Sequence, residues 1–179
     1  MDNNPIAIVF SIFVSLLTTL GIGGQGNHSV QETTVSPREV FTVDFVTENS
    51  RWKVNRKKSV SIAFDTVPTP FPTAVDLVIE FSADEIEVLD IAQGDLWTNA
   101  NVLKKEIDSK KGYVRFVIGQ GFGAKTSNNR IIATLSVLPK KVAKDVNVLG
   151  IGERSKTASS GKTSTIQVKG GLLKVSIYK

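Results

Sequence analysis

The chain has 179 residues, 41% of them apolar and 22% charged, with no cysteine and a formal net charge of +5. Such a composition suits one globular domain with its own core and excludes disulfides and thiolate metal centres. The basic residues include scattered pairs, Lys57-Lys58, Lys104-Lys105, Lys110-Lys111 and Lys140-Lys141, with no aromatic stripe between them, which is the pattern of a solvated surface and not of a nucleic-acid groove.

Residues 5–22, PIAIVFSIFVSLLTTLGI, carry no charge. At ~1.5 Å per residue they are just long enough to cross a bilayer as a helix. Two readings stay open for residues 1–24. One is a cleaved signal peptide, with Gly21 and Gly23 as small residues before the cut. The other is a retained transmembrane anchor, toward which the missing Lys or Arg in MDNN weighs. The first basic residue is Arg38, so charge does not orient the helix. Residues 25–37 read as a flexible polar spacer holding the lone His28 and a formal glycosylation sequon, Asn27-His28-Ser29.

From residue 40 onward the dominant period is two. Phe41, Val43 and Phe45 alternate with polar neighbours; so do Val60, Ile62 and Phe64, and then Val75, Leu77, Ile79 and Phe81. Ile86–Ile91 is the next strand, with Ile86, Val88 and Ile91 facing inward and Asp84, Glu85, Glu87 and Asp90 on the turn and the wet face. Residues 97–107 hold a short helical turn at most. Further strands are expected at Tyr113–Ile118, Ile131–Leu138, Val146–Leu149, Ser164–Val168 and Leu172–Tyr178. Breakers separate them: NRKK at 55–58, VPTPFPT at 67–73, AQGD at 92–95, SKKG at 109–112, the 119–129 loop, ASSGK at 158–162 and Gly170-Gly171. Many short strands without crossover helices predict an all-β fold. It is an antiparallel β-sandwich of jelly-roll type over 38–179, preceded by one N-terminal apolar helix.

Several stretches imitate functional motifs. GQGFGAKT at 119–126 approaches a phosphate loop, but Ala124 replaces the required Gly and a strand, not a helix, follows. Gly161-Lys162-Thr163 is weaker still. No loop has the Asp/Asn spacing of a calcium site, and the only histidine lies in the spacer, so no catalytic residue, metal ligand or cofactor is assigned. Trp97 follows Gly-Asp-Leu as a cap on the sandwich. With Phe71 and Phe122, bulky residues in Pro- or Gly-flanked loops, it is a candidate for contact with a partner.

Five pieces in order carry a family resemblance. FSADEIEVLDI followed by QGDL resembles the strand–turn–strand signature of cohesin domains, in which an aromatic, a small Asp-Pro turn and Leu-Glu-Val-Val precede a Gly-Asp. GYVRFVIG, RIIATLSVLPKK and GKTSTIQVKGGLLKVSI resemble later strands of that family, and SVSIAFDTVPTPFPTAVDLVIEF its early ones. The resemblance covers about residues 36–179. Ser82-Ala83 in place of Asp-Pro, Glu85 in place of an apolar residue and Asn128-Asn129 in place of a Gly mark the module as divergent. It implies a non-catalytic module, secreted or at the cell surface, one of whose sheet faces receives a dockerin-like protein. Membrane contact would run through residues 5–22. A polysaccharide is the alternative partner, bound by a coplanar exposed row drawn from Trp52, Trp97 and Tyr113; a structural subunit of a surface assembly is the third reading.

Overall fold

The computed structural model describes residues 40–125, 129–159 and 166–179. The expected apolar helix at 5–22, the spacer at 25–37 and Gly161-Lys162-Thr163 lie outside these residues. Twelve strands follow in order among those described: β1 Val40–Val46, β2 Arg51–Lys53, β3 Lys58–Phe64, β4 Pro72–Phe81, β5 Ile86–Gln93, β6 Ala100–Asp108, β7 Tyr113–Gln120, β8 Ile131–Pro139, β9 Ala143–Ile151, β10 Lys156–Ser159, β11 Ile166–Gly170 and β12 Leu172–Tyr178.

The alternating runs became strands because one face of each finds a core. Val60, Ile62 and Phe64 of β3, Val75, Leu77 and Ile79 of β4, and Val114, Phe116 and Ile118 of β7 are all buried. In β5 the inward set is Ile86, Val88 and Ile91, as expected. The register against β8 shifts between Val88 and Asp90, so the extra residue carries the apolar side chain back to the core. The turn before it is fixed locally. The backbone N–H groups of Glu85 and Ile86 both donate to the Ser82 carbonyl, at 3.1 and 3.0 Å, and the Ser82 hydroxyl donates to the Glu85 carboxylate. At the next turn, Gly112 takes φ +66°, and a Cβ there would stand 2.5 Å from the Phe81 carbonyl oxygen. That is why the SKKG turn ends in glycine.

Strand β6 replaces the helical turn expected at 97–107. Asn101 to Lys105 are all exposed, so no apolar alternation marks the strand; its pairing with β7 does. β2 and β10 also escaped the pattern. β2 is three residues around buried Trp52, and the inward residues of β10 are Thr157 and Ser159, at the edge of what reads as a breaker.

The ladder runs β2-β12-β9-β4-β10-β11-β1-β3-β8-β5, with β7 and then β6 on the other edge of β4. It folds over as a β-sandwich around a core drawn from both halves, and the β6 edge approaches the β5 end where Lys105 pairs with Asp90. The expectation of purely antiparallel pairing is corrected at two places: β1 pairs β11 in parallel, and β2 pairs β12 in parallel. Local periodicity is the same for either direction. A parallel neighbour needs a long connection, and here the intervening domain is the connection.

β4 is the hub. One edge pairs with β7 from Ala74 to Glu80, while the other is shared, β10 taking Pro72–Asp76 and β9 taking Ile79–Phe81. The gap between them is filled by Ser155, which is fully buried. Its Oγ accepts the Val78 N–H at 2.9 Å and donates to the Val78 carbonyl at 3.1 Å. The Gly152 N–H reaches the same carbonyl at 2.7 Å.

Candidate protein-binding face

Strands β6, β7 and β4 lie side by side, and their alternation puts one set of side chains in the core and the other outside. The registers align three rows on the face away from the core: Asp76, Val117 and Lys104; then Val78, itself buried, with Arg115 and Glu106; then Glu80, Tyr113 and Asp108. Cross-strand neighbours at this spacing interact directly. Arg115 grips Asp76 with two parallel bonds, Nε at 3.1 Å and Nη2 at 2.8 Å. The fork matches a carboxylate, and the pair is partly shielded, so its geometry is fixed. Asp76 beside it favours the charged guanidinium still further. Glu106 accepts from Lys104 Nζ at 2.7 Å and from the Tyr113 hydroxyl. Those two hydrogen bonds, Lys104 first, hold its carboxyl below the usual range, and the same bond pushes the Tyr113 phenol up.

Apolar area interrupts the charges. The β6 register shifts between Val102 and Lys104, which leaves Leu103 as the extra residue. Leu103 is 58% exposed, and its Cδ1 lies 3.4 Å from where a Cβ on Gly119 would sit, so it lies across the glycine beside half-buried Val117. A sheet face that combines preset charged pairs with an exposed leucine beside a half-buried valine is suited to a protein surface. Nothing in it resembles a nucleophile–base pair. Among the described residues there is no cluster of three or more His, Asp or Glu able to hold a metal. Two acidic residues of the β4–β5 segment have other partners: Ser82 and Lys141 hold Glu85 below its ordinary pKa, and Lys105 does so for Asp90.

The structure separates the three expected contact residues. Phe71 is half-buried and packs on the core. Trp97, expected as a cap on the sandwich and a contact candidate, is 2% exposed and belongs to the core cluster, and its Nε1 has no partner among the described residues. Phe122 alone stands fully in solvent, at 100% exposure. It occupies a turn closed by the Ala124 N–H to the Gly121 carbonyl at 3.1 Å, with Gly123 at φ +68°. That turn is clipped to the β5–β6 connection: the Gly121 N–H donates to the Asn99 carbonyl at 2.8 Å, Asn99 Nδ2 to the Phe122 carbonyl at 3.0 Å, and the Thr98 N–H to the Lys125 carbonyl at 3.1 Å. The phosphate-loop look-alike is therefore a clipped hairpin loop, followed by β8. Trp52 is also fully buried, its Nε1 donating to the Asn49 carbonyl at 3.0 Å, so the coplanar sugar-stacking row does not form.

Sequence reasoning passed over Asp76, Leu103, Glu106 and Arg115. The one signal available was Arg115 itself, a cation in the middle of YVRFVI at an outward position.

No protein-family model matches the chain, and no curated protein sequence matches it. Solved structures do. The third cohesin of ScaC from Acetivibrio cellulolyticus, in complex with the ScaB dockerin, is similar with a TM-score of 0.63 and 17% identity, over 78% of this chain and 99% of that one. A type I cohesin–dockerin complex from Clostridium thermocellum, Coh-OlpC-Doc435, gives 0.63 and 19%, over 79% and 95%. The type II cohesin A11 from Bacteroides cellulosolvens gives 0.61 and 11%, over 76% and 99%. At these identities the likeness is one of fold: the domain is a cohesin-like β-sandwich, spanning whole modules of that kind.

Proposed function

We propose that this cohesin-like domain is a non-catalytic interaction module whose β6–β7–β4 face receives a protein partner, a dockerin-like helical module being the best fit. The observation that carries this reading is the outward row system itself. Arg115 and Asp76 form a preset clamp on a rigid sheet, Glu106 is held by Lys104 and Tyr113, and exposed Leu103 sits beside them. Paired strands present these groups with little backbone ordering cost on binding, and Arg and Tyr are among the residue types that dominate interface energies. The dockerin-bound state of two of the matched structures supports the choice of partner. We further place the module outside the cell, secreted or held at a membrane through residues 5–22, with 38–179 as its folded unit.

Calorimetric titration of residues 36–179 with type I dockerin modules tests the reading. Leu103→Asp and Arg115→Glu are each expected to weaken binding by roughly tenfold or more while leaving the fold intact. Equal affinity for both variants and the parent chain would remove this face as the site.

A further inference from the structure

The sheet that carries the β6–β7–β4 face does not stop at β4. Its next strands are β9, β12 and β2, and one row runs across them: Leu172 opposes Gly150, which opposes Glu80, then Tyr113 and Asp108. β12 alternates from there. Val175 and Ile177 are buried, while Leu172, Lys174 and Tyr178 are exposed on the outer side. β2 adds Arg51 and Lys53 to that side, opposite Ser176 and Tyr178, because Trp52 between them points into the core. With strands ~4.8 Å apart, β7 to β2 spans about 19 Å, which one partner of ordinary footprint covers.

The two halves of this face settle their charge differently. On the first, Arg115 and Lys104 already hold Asp76 and Glu106. On the β12–β2 wing, Arg51, Lys53 and Lys174 meet no carboxylate within ion-pair distance among the described residues. Asp145 of β9 is engaged with Ser176, whose hydroxyl donates to it at 3.0 Å. The Arg51 guanidinium stands instead over the Tyr178 ring, 5.6 Å from its centroid. Apolar contact is built into both halves in the same way. Leu103 lies over Gly119, and Leu172, 66% exposed, lies over Gly150, where a Cβ would stand 2.9 Å from its Cδ2.

We propose that the partner's footprint extends over β9, β12 and β2, and that the segment it lays there is acidic, with an apolar side chain against Leu172. The inference rests on the protein-partner reading of the β6–β7–β4 face. Three cations without carboxylates, beside an exposed leucine, complement a peptide segment in which carboxylates flank an apolar residue. A sugar ring or a nucleobase needs an open aromatic face, and Arg51 covers the Tyr178 ring. The wing's charges are exposed, so they act on encounter rate and on the choice of partner more than on the lifetime of the complex.

The test is surface plasmon resonance on the full chain with type I dockerin modules, at low and at high salt, comparing Lys174→Glu with Leu103→Asp. Lys169→Glu, at an exposed cation of β11, is the control. Lys174→Glu is expected to slow association by roughly fivefold at low salt and by less than about twofold at high salt, with dissociation nearly unchanged. Lys169→Glu should change neither rate. If Leu103→Asp weakens binding while Lys174→Glu behaves like the control, the inference is overturned and the β6–β7–β4 reading stands. If Leu103→Asp has no effect, or no module binds, both are overturned. Binding of single-stranded DNA or phosphatidylglycerol vesicles that Lys174→Glu abolishes, with dockerin binding untouched, assigns the wing to another polyanion and also overturns the inference.

Discussion

Ser155→Ala isolates the device that joins two strands on one edge of β4. In the parent chain the Ser155 hydroxyl substitutes for the ladder between the end of β9 pairing at Ile79 and the start of β10 pairing at Asp76. Alanine keeps the backbone and removes the oxygen. The Val78 carbonyl retains the Gly152 N–H at 2.7 Å, but the Val78 N–H loses the side-chain acceptor it has at 2.9 Å. An orphaned buried donor costs about 1–3 kcal/mol. For a domain of this size that corresponds to a fall in Tm of roughly 3–9 °C. Urea unfolding followed by circular dichroism gives the number directly, and the m value should not change. The control is Ser61→Ala, whose hydroxyl meets Thr134 Oγ1 at 3.5 Å in a half-buried site and whose loss should cost less than about 0.5 kcal/mol. If Ser155→Ala proves no more costly than Ser61→Ala, water reaches Val78 and the split in the sheet is not sealed as argued.

Gly112→Ala should cost about 1–3 kcal/mol in the same assay, because it forces a Cβ onto a left-handed residue and against the Phe81 carbonyl. Trp52→Phe and Trp97→Phe remove similar volumes from the core, but Trp52 also gives up its bond to the Asn49 carbonyl while Trp97 gives up an unpartnered N–H. Trp52→Phe is therefore expected to be the more destabilising by about 1–2 kcal/mol, readable from paired denaturation curves. Glu85, Asp90 and Glu106 all have folded-state pKa values below their ordinary ones, Ser82, Lys105 and Lys104 being the leading causes. Their contribution is complete above the unfolded carboxylate range and disappears as pH falls through the lowered folded values. Urea midpoints should hold level from neutral pH to about 5 and drop below about 4. A midpoint that rises on acidification would contradict the pairing of these groups.

The amino-acid order by itself determined which runs are strands wherever a buried face forced alternation, as in Val75–Phe81 and Tyr113–Ile118. It also located the glycine turn at Gly112 and the inward triad Ile86, Val88 and Ile91. It left β6 unmarked, since an edge strand with both neighbours of Leu103 in solvent has no apolar period to read. It left β10 unmarked because threonine and serine fill its inward positions. The direction of the β1–β11 and β2–β12 pairings is a property of two distant segments, and neither segment encodes it alone. The outward rows of the β6–β7–β4 face follow the same logic. Asp76 and Arg115 are separated by 39 positions and become a clamp only when the register sets their strands side by side. Phe71 and Phe122 both read as loop aromatics, and tertiary packing alone laid one against the core and left the other in water.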